Sequence, residues 1–160
     1  MRWAKWLVGL AIAVVCLWAI TPPYDGHSKQ SAIKTQCLSN LKQLGTATTI
    51  YAGDFDDRMP PERWAEALTS TLNIPDMFGC PTTFRVKPQT GFAYKLGLAA
   101  ARLSSVQDPE HTVLFFETEA LAHDVVANLA ARCERHDRGG SNVVYADGHG
   151  KYENMNAVLK

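Results

Sequence analysis

The sequence predicts an α+β protein in which a long amphipathic helix packs on a small antiparallel sheet, with a hydrophobic helix ahead of both. Three observations carry this reading. Ile33, Cys37, Leu41, Leu44, Thr48 and Tyr51 recur in steps of four and three, which is one face of a helix. Thr112-Val113-Leu114-Phe115-Phe116-Glu117 is a β-rich apolar run that suits a central strand. Two extended runs, 142–146 and 149–153, flank Asp147-Gly148, a pair that supplies the positive backbone angles of a tight hairpin turn.

The first element is the uncharged stretch Trp6 to Ile20, preceded by Arg2 and Lys5 and followed by Thr21-Pro22-Pro23. Its fifteen residues reach roughly 22 Å as a helix, short of the hydrocarbon core. Trp3 and Trp6 at one end, with Trp18 and Tyr24 at the other, suit the two interfaces of a bilayer and extend that reach. Two readings compete: an uncleaved anchor, and a cleaved signal peptide. The second wants small residues before the cut, and no Ala-x-Ala stands near Ile20. The expected organisation is therefore a membrane anchor or uncleaved signal segment over 1–23, a linker over 24–30 and one globular domain over 31–160. This places the protein in the inner or cell membrane, single-pass, held through residues 6–20, with its C-terminal domain extracytoplasmic.

The long helix is expected over 31–52, capped by Ser31 or Ser28 and ended by Gly53 and the acidic run Asp54, Asp56, Asp57. Pro60 and Pro61 then open a shorter helix on which Trp64, Leu68 and Leu72 share a face. A loop follows over 73–83. Phe92 to Leu96 alternates like a strand, 112–117 is the central strand, and Leu121, Val125, Leu129 and Cys133 suggest a helix or a long connection with one helical turn.

Composition narrows the partners. Sixteen basic and sixteen acidic residues cancel, and the aromatic residues do not interleave with a basic stripe, so nucleic acid is not an expected partner. An apolar fraction of 46% is enough for the chain to build a core. Of the four cysteines, Cys16 lies in the apolar segment; Cys37 with Cys80 is the preferred disulfide, with Cys133 a rival partner for either.

The run Cys37-Leu38-Ser39-Asn40-Leu41-Lys42-Gln43-Leu44-Gly45, then Tyr51-Ala52-Gly53-Asp54-Phe55-Asp56 and Met59-Pro60-Pro61, resembles the post-anchor helix of bacterial prepilin-like proteins that carry a C-terminal His-x(9)-Asp-Gly motif. Further landmarks follow in the same order: Trp64, Phe78-Gly79-Cys80-Pro81, Asp108-Pro109, Arg135-His136, Gly139-Gly140-Ser141-Asn142 and Asp147-Gly148-His149. The chain departs from the pattern twice. It lacks the prepilin cleavage site before the apolar helix, and ten residues rather than nine separate His136 from Asp147. The resemblance implies a pilin-like (pseudopilin-like) fold and a place among other anchored pilin-like or secretion-system proteins. It carries over no catalytic residue.

Glu117, Glu119, His136, Asp147 and His149 are the residues that can carry chemistry. If the strand ending at Glu117 lies beside the hairpin, their oxygens and nitrogens converge at one sheet end and suit a divalent metal, with His136, Asp147, His149 and Glu117 as ligands. The simpler reading makes Asp147 a turn residue, His149 a strand-edge residue and His136 a backbone-bonded loop residue. Asp54, Asp56 and Asp57 resemble half a calcium loop, without the glycine and distal glutamate at the required offsets. Arg135, His136 and Arg138 before Gly139-Gly140 have the composition of an anion-binding loop. No nucleophile elbow or zinc-protease helix occurs. The expectation is a non-enzymatic, membrane-anchored structural or interaction protein of the cell surface or a secretion system, with no cofactor. The alternatives are an exported metal- or anion-binding module and a metal-dependent hydrolase.

Overall fold

A computed structural model describes residues 2–20, 26–72, 79–80, 91–134, 136 and 139–154. Three helices, α1 (Arg2–Ile20), α2 (Gly26–Asp54) and α3 (Trp64–Leu72), precede five strands: β1 (Phe92–Lys95), β2 (Val113–Glu117), β3 (Val126–Ala127), β4 (Gly140–Tyr145) and β5 (Gly150–Asn154). The strands form one sheet in the order β3-β1-β2-β4-β5, so the run ending at Glu117 is central as expected. The sheet is mixed rather than wholly antiparallel, because β3 pairs in parallel with β1 through Tyr94–Val126 and Lys95–Ala127.

The stripe on α2 is the helix side of the main core. Cys37, Leu41, Leu44, Ala47 and Thr48 are buried, and Ile33 and Tyr51 flank them. Fully burying a leucine of this kind is worth about 1.5–3 kcal/mol, so Leu41 and Leu44 alone account for much of the helix-to-sheet attachment. Gly45 lets the helix approach β4 closely: a Cβ there would lie 3.0 Å from Val144 Cγ2. α2 starts five residues before the expected boundary, so Ser31 is inside the helix rather than at its cap, and residues 26–30 are helix rather than linker. It ends at Asp54, after which Asp56 and Asp57 take positive φ (52° and 63°), a conformation aspartate tolerates.

α3 begins at Trp64, not at the prolines. Its first turn is satisfied from a distance, since Asp124 Oδ1 accepts the Ala65 N–H at 2.6 Å. Trp64 lies wholly within the core, with its ring edge-on to Phe115 at 5.0 Å and its Nε1–H donated to Val125 O. Instead of a helix, residues after Glu119 form the short strand β3 and a 3₁₀ turn at Leu129–Ala131. The four-residue spacing read as a helical face is interrupted by Asp124 at φ 56° and by the pairing of β3 with β1.

β2 carries a β-bulge. Val113 pairs with Tyr145 and Phe115 with Val144, so Leu114 is an extra residue. Leu114 and Phe115 consequently both join the core under α2, while Val113 and Phe116 join a second cluster with Ala93, Val143 and Tyr145 on the opposite face. The β4–β5 hairpin forms as expected, but only Gly148 has positive φ (89°). Gly148 N–H bonds Tyr145 O, and Tyr145 N–H bonds His149 O, which is a type I turn followed by a glycine bulge.

Cys37 and Cys80 form a disulfide, with Cα atoms 5.0 Å apart and a sequence separation of 43. Cys133 is a buried thiol and Cys16 an exposed one.

The expected membrane-spanning anchor is corrected. Among the described residues no helix is long and apolar enough to cross a membrane. α1 has 19 residues, and Arg2 and Lys5 occupy its first turn. The apolar remainder falls short of a hydrocarbon core of about 30 Å. The single-pass placement in the inner or cell membrane fails with it. Thr21, Pro22, Pro23 and Tyr24, and the expected loop at 73–78 and 81–83, lie outside the described residues.

Candidate functional site

The candidate site grows from strand parity. With Phe115 facing α2, the residue two further along β2, Glu117, faces α2 as well. Glu117 is fully buried. Its neighbour across the sheet is Asn142, which shares the core face of β4 with Val144.

The carboxylate is closely held. Oε2 accepts the Asn142 backbone N–H at 2.8 Å, and Oε1 accepts the Asn142 side-chain amide at 3.1 Å. The same amide reaches across to Lys34 O on α2 at 3.2 Å, joining helix, strand and carboxylate in one network. Oε1 also stands 2.8 Å from His136 Nε2, and the two side chains are 0% and 5% exposed. His136 is brought there by two neighbouring pairings: it bridges to Gly140 at the start of β4, and Cys133 N–H bonds Glu117 O. Gly140 is required at that crossing, because a Cβ would lie 2.5 Å from Tyr152 Cζ and 2.6 Å from Glu153 O.

The disulfide completes the cluster. Ligand atoms of Cys37, Cys80, Glu117 and His136 all lie within 4.8 Å of one another, and among the described residues this is the one such group of three or more His, Cys, Asp or Glu donors. Asn40 Nδ2 donates to Gly79 O at 2.8 Å, fixing the backbone next to Cys80 against α2. Asn142 Oδ1 is buried and accepts no hydrogen bond among the described residues.

The residues expected to converge therefore separate into two places. Glu117 and His136 meet in the core, whereas Asp147 and His149 sit on the exposed turn at the other end of β4. Asn142, beside Glu117, and Asp147 are five residues apart, about 16 Å along an extended chain. At the turn, His149 Nδ1 is 2.6 Å from Asp147 Oδ1, and its ring stacks on Tyr145 at 4.3 Å. Burial works against it, but the backbone and side-chain hydrogen bonds from His149 hold the Asp147 carboxyl below its ordinary range. Glu110, His111, Tyr145, Asp147, His149 and Lys151 line a shallow surface depression of about 270 Å³ there. His111 is turned to Asp108 at 2.9 Å, which raises its pKa chiefly through that hydrogen bond.

Glu119 is exposed and is not part of either group. Asp57 spends its carboxylate on Ser104, accepting from both its N–H and its hydroxyl, so the acidic run after α2 anchors a 3₁₀ turn at Leu103–Ser105 rather than forming a calcium loop. Arg135, Asp137 and Arg138 lie outside the described residues, and with them the expected anion loop.

Several participants are not legible in the sequence. Asn142 gave no local signal, since its role depends on which strand faces it. Cys37 and Cys80 were read only as a staple. Arg132 and Glu153 form a second, largely buried ion pair at 2.9 Å, with Tyr145 OH also donating to Glu153. A lone acid closing an apolar strand, as in Val-Leu-Phe-Phe-Glu, was the one legible sign.

Comparison with family models, characterised proteins and solved structures returns no match.

Proposed function

We propose that this chain is a non-enzymatic, pilin-like structural or interaction subunit, whose head domain is carried on α2 and whose apolar helix α1 packs against the same helix of further copies. One observation carries the reading. α1 is apolar around its whole circumference, with Trp6 81% and Trp18 85% exposed and Leu10 and Leu17 similarly open, while the head closes its own core without it. A helix apolar on all sides is a helix made to be covered. The long helix lying on a sheet, with Cys37 stapled to Cys80, agrees with the resemblance in Cys37–Gly45 and Gly79-Cys80.

A metal- or anion-binding module built on His136, Asp147 and His149 draws no support from their separation. A metal-dependent hydrolase needs an open coordination position, and Glu117 has none facing solvent.

Cys16 supplies the test, being an exposed thiol on α1. Treated with a short bismaleimide, the full chain should give covalent dimers, and light scattering should report a mass that rises with concentration. Leu10→Glu with Leu17→Glu should abolish both. An unaltered chain that stays monomeric at high concentration, or a doubly substituted chain that still gives the covalent dimers, sinks the proposal.

A further inference from the structure

The cluster at the disulfide has the donor set of a zinc site, and this goes beyond the subunit role. We infer that reduction of the Cys37–Cys80 disulfide converts Cys37, Cys80, Glu117 and His136 into a four-ligand site for a zinc ion, making the bond between α2 and the segment at Cys80 either covalent or metal-mediated.

Two thiolates, an imidazole and a carboxylate are borderline-soft to hard donors that suit tetrahedral Zn²⁺. These four come from four separate stretches of chain, yet their ligand atoms already lie within 4.8 Å of one another. The cluster is shielded, with Cys37, Cys80 and Glu117 buried and His136 largely so. The exposed acidic groupings common on protein surfaces are a different case.

The rearrangement at the imidazole–carboxylate pair is small. With Zn–S bonds of about 2.3 Å the two sulfurs stand about 3.8 Å apart, and with Zn–N and Zn–O bonds of about 2.0 Å the imidazole nitrogen and carboxylate oxygen stand about 3.3 Å apart. The His136–Glu117 contact of 2.8 Å therefore opens by about half an ångström. The Asn142 backbone N–H, held on Oε2, stays in place and orients the carboxylate from behind.

A dithiol reductant attacks the disulfide, each of its sulfurs in turn giving up a proton, and leaves as its own cyclic disulfide; Cys37 and Cys80 take up the two electrons and two protons as thiols. Zinc then displaces those two thiol protons to solvent. To bind the metal through Nε2, the neutral His136 ring carries its proton on Nδ1.

Zinc itself is the probe. The full chain is reduced with dithiothreitol, freed of it under nitrogen, equilibrated with zinc sulfate and examined by native mass spectrometry. One zinc per reduced chain and none per oxidised chain is the expected result. His136→Ala should weaken zinc binding at least about tenfold, since even groups behind a ligand matter on that scale. Cobalt substitution of the unaltered reduced chain needs no variant: a thiolate-to-cobalt charge-transfer band with intense tetrahedral d–d bands supports the site. A reduced chain that binds no zinc, binds it equally well with His136→Ala, or shows no thiolate band with cobalt overturns the inference. So does a reduced chain whose near-UV dichroism is lost and is not restored by zinc. None of these outcomes bears on dimerisation through α1, which is read independently at Cys16.

Discussion

Glu117 Oε1 lies 2.8 Å from His136 Nε2, and both side chains are withdrawn from solvent in the angle between β2 and α2. Removing one partner of such a pair strands the other, and a buried donor or acceptor without a partner costs more than the bond itself contributed. Glu117→Ala is expected to destabilise the fold by about 2–4 kcal/mol, because it orphans the Asn142 N–H and amide as well as His136. Glu117→Gln, which keeps an acceptor for Asn142, should cost less. Urea denaturation of both variants checks the order; equal stability of Glu117→Ala and the parent chain would contradict it.

The Cys37–Cys80 bond closes a loop of 43 residues, for which loop entropy assigns about 4 kcal/mol. The double replacement Cys37→Ser/Cys80→Ser should lower stability by about 2–4 kcal/mol in the absence of zinc. Non-reducing peptide mapping should recover the peptides containing Cys37 and Cys80 linked. A linked peptide containing Cys133 would contradict the assignment.

At Gly140 the neighbours are both side chain and backbone. Gly140→Ala places a methyl 2.5 Å from the Tyr152 ring and 2.6 Å from Glu153 O, so it should cost about 1–3 kcal/mol through overpacking. Adding Tyr152→Ala removes the ring but leaves the carbonyl, so thermal melting should show partial rescue at most. Full rescue would mean that the ring alone sets the need for glycine.

Asp124 plays two parts: it caps α3 through Ala65 N–H, and it tolerates φ 56°. Asp124→Asn retains both and should be nearly neutral. Asp124→Ala loses both and should cost about 1–2 kcal/mol. Thermal melts of the two variants, alike to within error, would remove the capping role.

Acid should destabilise the chain in part through Glu153. Burial tends to raise its pKa, but hydrogen bonds from Tyr145 and Arg132, with the Arg132 charge, outweigh this and hold the carboxyl below its ordinary 4.5. The folded state thus binds fewer protons than the unfolded chain between the two values. This contribution is complete above 4.5 and is lost as pH falls through the depressed folded value. Asp147 acts in the same direction, more weakly because it is nearer solvent. His111 has the opposite sign: with its pKa raised above 6.5, whatever it adds is present below that pH and fades as pH rises through the folded value. Arg132→Met should flatten the acid limb of a stability-against-pH curve; an unchanged slope would remove Glu153 from the account.

What could be read from sequence follows from the range of each signal. The α2 stripe, the central strand and the Asp147-Gly148 hairpin are encoded locally, by periods of 3.6 and 2 and by turn chemistry, and all three are found. The Cys37–Cys80 pairing was legible because few alternatives existed. The parallel strand β3 was not, since Val126–Ala127 is a strand only by virtue of lying beside Tyr94 and Lys95. The site was half legible. Glu117 and His136 are singled out together, but Asp147 and His149 are grouped with them because sequence does not say which way β2 runs beside β4, and in the antiparallel pairing the Glu117 end of β2 meets the start of β4 rather than the turn. Apolar character alone overstated α1, since among the described residues no helix is both long and apolar enough to cross a membrane.

The extra residue at Leu114 also divides β2 into two independently registered halves. Beyond it, Phe115–Val144 and Phe116–Val143 set the phase that turns Glu117 inward; before it, Val113–Tyr145 sets the phase at the hairpin end. Dropping Leu114 would merge the halves into a regular ladder and still leave Glu117 facing α2. Dropping Phe116 would carry the acid to the opposite face. Length variation along this strand is thus tolerable upstream and intolerable downstream, and the boundary between the two regimes is a single leucine.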